Sequence, residues 1–105
     1  MGKNDKLLLK IKSSIIQECP SAEIILYGSR ARGEATSLSD WDILILVENN
    51  DKITESEDRF RNNLYELELE TGQIISTLVY SKEYWIKKLK YSPLYINVNK
   101  EGIHL

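Results

Sequence analysis

Cysteine is almost absent from this sequence of 105 residues, since Cys19 is the single one. One thiol cannot form a disulfide within the chain, and it cannot supply the cysteine-rich ligand set of a structural zinc site. Cys19 precedes Pro20 after an amphipathic segment, where we expect a small, buried or partly buried thiol. A disulfide scaffold is therefore excluded, and a hydrophobic core must hold the fold.

The sequence also lacks a long hydrophobic run. No apolar stretch approaches the roughly 20 residues that a membrane-spanning helix needs. The first ten residues, MGKNDKLLLK, do not combine an apolar segment with a small-residue cleavage site, as a secretory signal would. We therefore expect a cytoplasmic protein with no membrane partner.

Neither sign of charge is in large excess, because 14 Lys and Arg face 16 Asp and Glu, for a net charge of -2. A pI of about 5.4 argues against a protein that binds nucleic acid through its overall charge. We therefore expect nucleic acid at most as an acceptor. Acidic residues are concentrated between Glu48 and Glu70, and lysines are concentrated in the last quarter of the chain. We expect most of these charged residues to lie on solvated faces of helices.

What the sequence does contain is an alternation of apolar segments typical of one small α/β domain, residues 1–105. Three short runs rich in β-branched residues predict strands over 23–27, 41–47 and 73–80. Helical periodicity predicts a first helix over 6–18. A second helix should begin at the capping box Thr54–Glu57 and end at about Glu70 or Thr71, with Gly72 after it. Two more helices are predicted, one after Ser81 and one after Ser92. The last residues, including His104, are expected to fray. We predict an α/β (α+β) fold with a small mixed three-stranded sheet flanked by helices.

The functional hypothesis begins where the first predicted strand ends, at Gly28 and Ser29. Gly28 has no Cβ, so a ligand can approach the backbone there. Ser29 would begin a short helical turn, whose first amides stabilise an anion such as phosphate. Arg30 and Arg32 add permanent positive charge, and an arginine fork can hold phosphate oxygens.

Asp40 and Asp42 lie at the start of the second predicted strand. Side chains alternate along a strand, so these two carboxylates point to one side while Trp41 points to the other. Carboxylates are the hard oxygen ligands that Mg²⁺ takes together with water and substrate phosphates. A phosphate-binding turn beside a paired-carboxylate metal site is what metal-assisted nucleotidyl transfer requires.

Ten residues separate Ser29 from Asp40 in the segment LYGSRARGEATSLSDWDILILV. This segment resembles the G-S…D-x-D signature of the DNA polymerase beta-like nucleotidyltransferase superfamily, and the short chain resembles its minimal nucleotidyltransferase (MNT) branch. The resemblance implies Mg²⁺-dependent transfer of a nucleoside monophosphate, with AMP from ATP expected, to a hydroxyl of a protein, RNA or small molecule. It implies nucleotide binding by Gly28 and Ser29, with Arg30 assigned beside them. Asp40 and Asp42 match the catalytic, metal-binding carboxylates.

The predicted third strand departs from the family's pattern. The family supplies a third carboxylate from such a strand, but residues 73–80 contain no Asp or Glu, and Ser76 or Thr77 takes its place. Glu68 and Glu70 could reach the site from the preceding helix, although an exposed helix face is the more ordinary place for them. The sequence leaves open an active enzyme and a weak or inactive module that binds a partner protein.

The resemblance also implies a partner. Minimal members are often found beside a helical partner protein, in two-component or toxin–antitoxin pairs in which the transferase nucleotidylates its partner. An antitoxin-like role follows for this chain by the same resemblance. Whether the chain also forms a homo-oligomer is left open by the sequence.

Overall fold

The computed structural model describes residues 3–36, 38–48 and 53–105, apart from the side chains of residues 3–5, 53 and 54. The elements in chain order are α1 (Lys3–Glu18), β1 (Glu23–Tyr27), α2 (Ser29–Arg32), β2 (Trp41–Val47), α3 (Ile53–Thr71), β3 (Ile75–Ser81), α4 (Lys82–Lys88), α5 (Pro93–Glu101) and β4 (Ile103–His104). The side chain of Thr54, in the predicted capping box, lies outside the described residues.

The sheet has the strand order β3-β2-β1-β4. The strands β1 and β2 run antiparallel, whereas β2 and β3 run parallel. A parallel pair needs a long crossover connection, and α3 provides it. The predicted mixed sheet flanked by helices is therefore confirmed, with β2 in the interior of the sheet.

A fourth strand, β4, extends the three predicted ones. Ile103 and His104 pair with Leu26 and Ile25, and the amide of Leu105 donates to the carbonyl of Ile24 at 2.9 Å. The expectation that these residues fray is wrong, because the free edge of β1 offers them hydrogen-bond partners. The His104 side chain is exposed, as predicted.

The two faces of the sheet are covered by different helices. On one face Ile43 and Ile45 belong to a buried cluster that includes Ile15 of α1 and Phe60 of α3. On the other face the buried cluster joins Leu44 and Leu46 of β2, Ile25 of β1, Trp85 of α4 and Val98 of α5. Asp42 has the same strand parity as Leu44, so it lies on this second face.

The predicted caps of α4 and α5 and the predicted end of α3 agree with the structure, whereas α1 begins at Lys3 and not at Lys6. Ser81 and Ser92 cap α4 and α5, since their hydroxyls accept hydrogen bonds from Tyr84 N at 3.0 Å and Tyr95 N at 3.1 Å. Gly72 follows α3 with a φ of 71°, a conformation that favours glycine. Among the described helices, none is long and apolar enough to cross a membrane.

Candidate active site

Gly28 turns the chain from β1 into α2. Its φ of 78° and ψ of -160° lie in a region that is essentially reserved for glycine. Its carbonyl accepts hydrogen bonds from the amides of Ala31 and Arg32, both at 3.1 Å, and these bonds start the short helix. A methyl group on Gly28 would collide with Oδ2 of Asp42. The turn and the carboxylate are therefore in direct contact.

Asp42 occupies a half-buried position in the sheet, between Tyr27 of β1 and Ser76 of β3. Burial raises the pKa of Asp42 above its ordinary value, the charge of Asp40 raises it further, and Arg32 lowers it. The charge of Asp40 therefore acts on the carboxyl group of Asp42, two residues along the chain.

The donor set suits a hard divalent cation. Two carboxylates that repel each other gain from a cation placed between them, and oxygen is the ligand that Mg²⁺ prefers. Among the residues that the structure describes, no cluster of three or more His, Cys, Asp or Glu side chains could hold a metal. Of the two carboxylates predicted to hold the metal, Asp40 is exposed and Asp42 is half-buried.

Arg30 is turned toward the loop between α2 and β2. Its guanidinium donates to the carbonyl of Ser39 at 3.1 and 2.9 Å and to that of Thr36 at 3.3 Å. It also donates to the Gln73 side-chain oxygen at 3.3 Å and stacks 4.1 Å from the ring centre of Trp41. The side chain assigned to phosphate is thus engaged with the loop that carries Asp40.

Comparison with known proteins identifies the family. The sequence profile of the nucleotidyltransferase domain matches residues 8–102. The chain belongs to the nucleotidyltransferase domain family. This membership confirms the resemblance drawn from the segment between Leu26 and Val47.

One solved structure shows that this fold is shared, and a second one is reported for comparison. A crystal structure of a toxin–antitoxin with AMP-PNP is 18% identical, with a TM-score of 0.53, and the match covers 96% of this chain and 71% of that one. A structure of a mutant of the toxin–antitoxin MntA–HpeT is also 18% identical, with a TM-score of 0.49 and coverage of 100% and 72%. No curated protein sequence matches the chain.

Ser76 is the neighbour of Asp42 on β3. Ser76 pairs with Asp42 in the parallel ladder, so Ser76, and not Thr77, shares its face. Glu68 instead accepts a hydrogen bond from Ile75 N at 2.9 Å, and Glu70 pairs with Lys10 at 2.8 Å. Neither glutamate completes the pair of aspartates.

Two neighbours of the nucleotidyltransferase site are not predicted from the sequence. Tyr27 faces Asp42 across the β1–β2 ladder, and its pKa is raised to about 12 by burial, by Asp42 and by Tyr80. Glu101 of α5 pairs with Arg32 at 3.1 Å. Strand parity could have revealed Tyr27, which directly precedes Gly28, but no local pattern connects Glu101 with Arg32.

Proposed function

We propose that this nucleotidyltransferase moves a nucleoside monophosphate from a nucleoside triphosphate to a hydroxyl acceptor, with Mg²⁺ held by Asp40 and Asp42. The triphosphate would lie at the turn formed by Gly28 and Ser29. The observation that carries the proposal is the contact between Asp42 and the backbone at Gly28, because it joins a phosphate-binding turn to a carboxylate pair.

The proposed reaction is a substitution at the α-phosphorus of the triphosphate. The acceptor oxygen forms a bond to the α-phosphorus, the bond from that phosphorus to the bridging oxygen breaks, and pyrophosphate leaves. The acceptor proton passes to a carboxylate or to water. When bound, Mg²⁺ supplies charge neutralisation for the triphosphate. The backbone at Gly28 and Ser29 orients the donor, and Asp40 and Asp42 fix the metal.

ATP is the first donor to test, since an ATP analogue, AMP-PNP, accompanies the toxin–antitoxin structure of the same fold. That same toxin–antitoxin structure also makes a protein the first acceptor to test. A helical partner, for which this chain would act as the antitoxin-like half, is our proposed acceptor. RNA and small molecules with hydroxyl groups are the other candidate acceptors to test.

Radiolabelled ATP, Mg²⁺ and candidate acceptors provide the test. We expect label on one acceptor, and we expect Asp42→Asn to abolish it. The double variant Asp40→Asn, Asp42→Asn serves to check the mechanism, because it removes both proposed metal ligands. Persistent labelling by the folded double variant would overturn the assignment of these carboxylates.

A partner-binding module is the second candidate function, and the serine at position 76 favours it. With a hydroxyl where the family has a third acid, the fold would bind a partner and transfer weakly or not at all. This function predicts stoichiometric association with a partner protein, measured by calorimetry, that persists in the Asp40→Asn, Asp42→Asn variant. Absence of labelling together with such association would select this function over the enzyme.

A further inference from the structure

We infer that Arg30 is a positioning residue that fixes the loop bearing Asp40 and that it does not hold the nucleotide. The inference rests on the proposed function, because it concerns how the proposed metal ligands are held. Arg30 belongs to α2, whereas Asp40 lies at the end of the following loop. One side chain therefore connects the phosphate-binding turn to the metal-binding pair.

The contacts of Arg30 fall on both neighbours of Asp40. Its guanidinium donates two hydrogen bonds to the carbonyl of Ser39, which directly precedes Asp40. The same guanidinium stacks on Trp41, which directly follows Asp40, at 4.1 Å from the ring centre. Backbone on one side and a buried ring on the other thus restrict the aspartate between them.

Gln73 completes this arrangement from another part of the chain. Its side-chain oxygen accepts a hydrogen bond from Arg30 at 3.3 Å and one from the indole nitrogen of Trp41 at 3.2 Å. The Trp41 amide also donates to the carbonyl of Ile74 at 2.8 Å. Gln73 lies between α3 and β3, so the loop is joined to the rigid sheet.

The geometry also separates Arg30 from the proposed phosphate position. Trp41 and Asp42 are consecutive in β2, so their side chains leave opposite faces of the sheet. Arg30 packs on Trp41, on the face away from Asp42. To reach phosphate, the guanidinium of Arg30 would have to break its hydrogen bonds to the carbonyls of Ser39 and Thr36. Breaking them would leave these carbonyls without their donor, which is costly in a partly buried position.

Holding the loop in this way requires arginine, because the hydrogen-bond acceptors on Ser39, Thr36 and Gln73 surround one planar group. A guanidinium presents five donors in a fixed fork and can stack on an indole at the same time. The ammonium of lysine is a point donor and cannot reproduce both contacts. Arg30→Lys therefore keeps the charge and removes the fixed arrangement.

The test uses three variants: Arg30→Lys, Gln73→Ala and the double variant that combines them. The control is Arg59→Lys, which alters an exposed arginine of α3. The first readout is hydrogen–deuterium exchange of the loop amides in the apo protein. We expect faster exchange at Ser39 and Trp41, whose amides donate to the carbonyls of Thr36 and Ile74, in both single variants and unchanged exchange in the control. Slow exchange like that of the wild type in folded Arg30→Lys would overturn the inference.

The second readout separates metal from nucleotide. We expect Arg30→Lys and Gln73→Ala each to weaken Mn²⁺ binding by about tenfold, because groups that orient metal ligands affect metal affinity on this scale. The affinity for ATP in EDTA should be unchanged, and kcat should fall while KM for ATP stays. The double variant should be no worse than Arg30→Lys, because the two residues act as one unit.

One further result would contradict the role of Arg30. Weaker metal-free ATP binding in Arg30→Lys, with normal binding in Gln73→Ala, would make Arg30 a phosphate ligand. If Arg30→Lys does not fold, shown by its thermal transition, Gln73→Ala carries the same test. If the wild type neither binds Mn²⁺ nor transfers a nucleotide, the proposed function is wrong. The exchange experiment would still show whether Arg30 fixes the loop that bears Asp40.

Discussion

The carboxylate of Asp42 fills the space beside Gly28 that a side chain would need. Asp42 lies in β2 and Gly28 directly follows the antiparallel strand β1, so the register pairs Asp42 with Tyr27, the residue before Gly28. A sheet register therefore determines how close the proposed metal ligand comes to the proposed phosphate turn. Substitutions at either residue should disturb both.

Gly28→Ala should remove nucleotide and metal binding. The alanine would be strained at a positive φ and would also collide with Asp42, so the carboxylate must move. Gly33→Ala is a control for a positive φ alone, because Gly33 lies in the ordinary left-handed region, with φ 75° and ψ 17°, and a Cβ added there would meet no atom within 4 Å. We expect the control to lose about 1 kcal/mol of stability, the cost of a left-handed non-glycine residue, and to keep metal binding. Urea unfolding and Mn²⁺ titration measure both. Equal effects of the two substitutions would show that the contact with Asp42 is unimportant.

The ionisation of Asp42 should respond in opposite directions to its two charged neighbours. Asp40 raises the pKa of Asp42 and Arg32 lowers it. Asp40→Asn should therefore shift the titration of Asp42 to lower pH, and Arg32→Gln should shift it to higher pH. Carboxyl-carbon NMR of the metal-free protein measures each midpoint. Shifts of the same sign in both variants would contradict this arrangement of charges.

Asp42→Asn should be at least as stable as the wild type at neutral pH without metal. The pKa of Asp42 is raised in the folded protein, so its protonated form stabilises the fold below the ordinary value of 3.8, and that contribution is lost as pH rises through the raised pKa. Mg²⁺ should stabilise the wild type and leave Asp42→Asn unchanged. Thermal denaturation with and without Mg²⁺ at several pH values measures these effects. Metal stabilisation of the variant equal to that of the wild type would exclude Asp42 as a ligand.

Ser76→Asp should strengthen metal binding by placing a third carboxylate beside Asp42. The parallel register pairs the two positions, and both side chains leave the same face. If the missing acid limits the reaction, transfer should rise by about a hundredfold or more, the scale on which a positioned general base contributes. Thr77→Asp is the control, because its side chain leaves the opposite face. Rapid-quench assays and Mn²⁺ titration compare the two variants, and an equal gain from both would refute the effect of position.

Tyr27 should remain protonated beyond the range in which exposed tyrosines ionise. Its pKa of about 12 lies above the ordinary value of 10.0. Since the folded pKa is raised, the protein should lose stability as pH rises from 10.0 toward 12. Tyr27→Phe should remove that part of the alkaline loss, whereas Tyr91→Phe, which alters an exposed ring, should not. Ultraviolet titration and denaturation at alkaline pH test this, and ionisation of Tyr27 with the exposed tyrosines would contradict it.

The central strands and the paired aspartates can be predicted because their signals are local. Apolar alternation marks a strand within a few residues, and the spacing from Ser29 to Asp40 is read directly from the sequence. For the same reason the sequence predicts that Ser76 or Thr77 takes the place of the family's third carboxylate. The β2–β3 register then decides between them.

The features that the sequence does not predict depend on contacts between distant segments. A two-residue strand such as β4 has no periodicity, and its existence depends on the free edge of β1. Arg30 binds backbone carbonyls, which every residue has, so nothing in the composition of the loop marks them as its partners. The pairing of Arg32 with Glu101 joins residues from α2 and α5.

The indole of Trp41 gives the protein an internal optical signal. It lies under the guanidinium of Arg30, and its residue stands between Asp40 and Asp42. The other tryptophan, Trp85, belongs to the cluster formed with α5. With Trp85 replaced by phenylalanine, the emission of the remaining indole would follow rearrangement of the loop as ligands arrive, with no added dye.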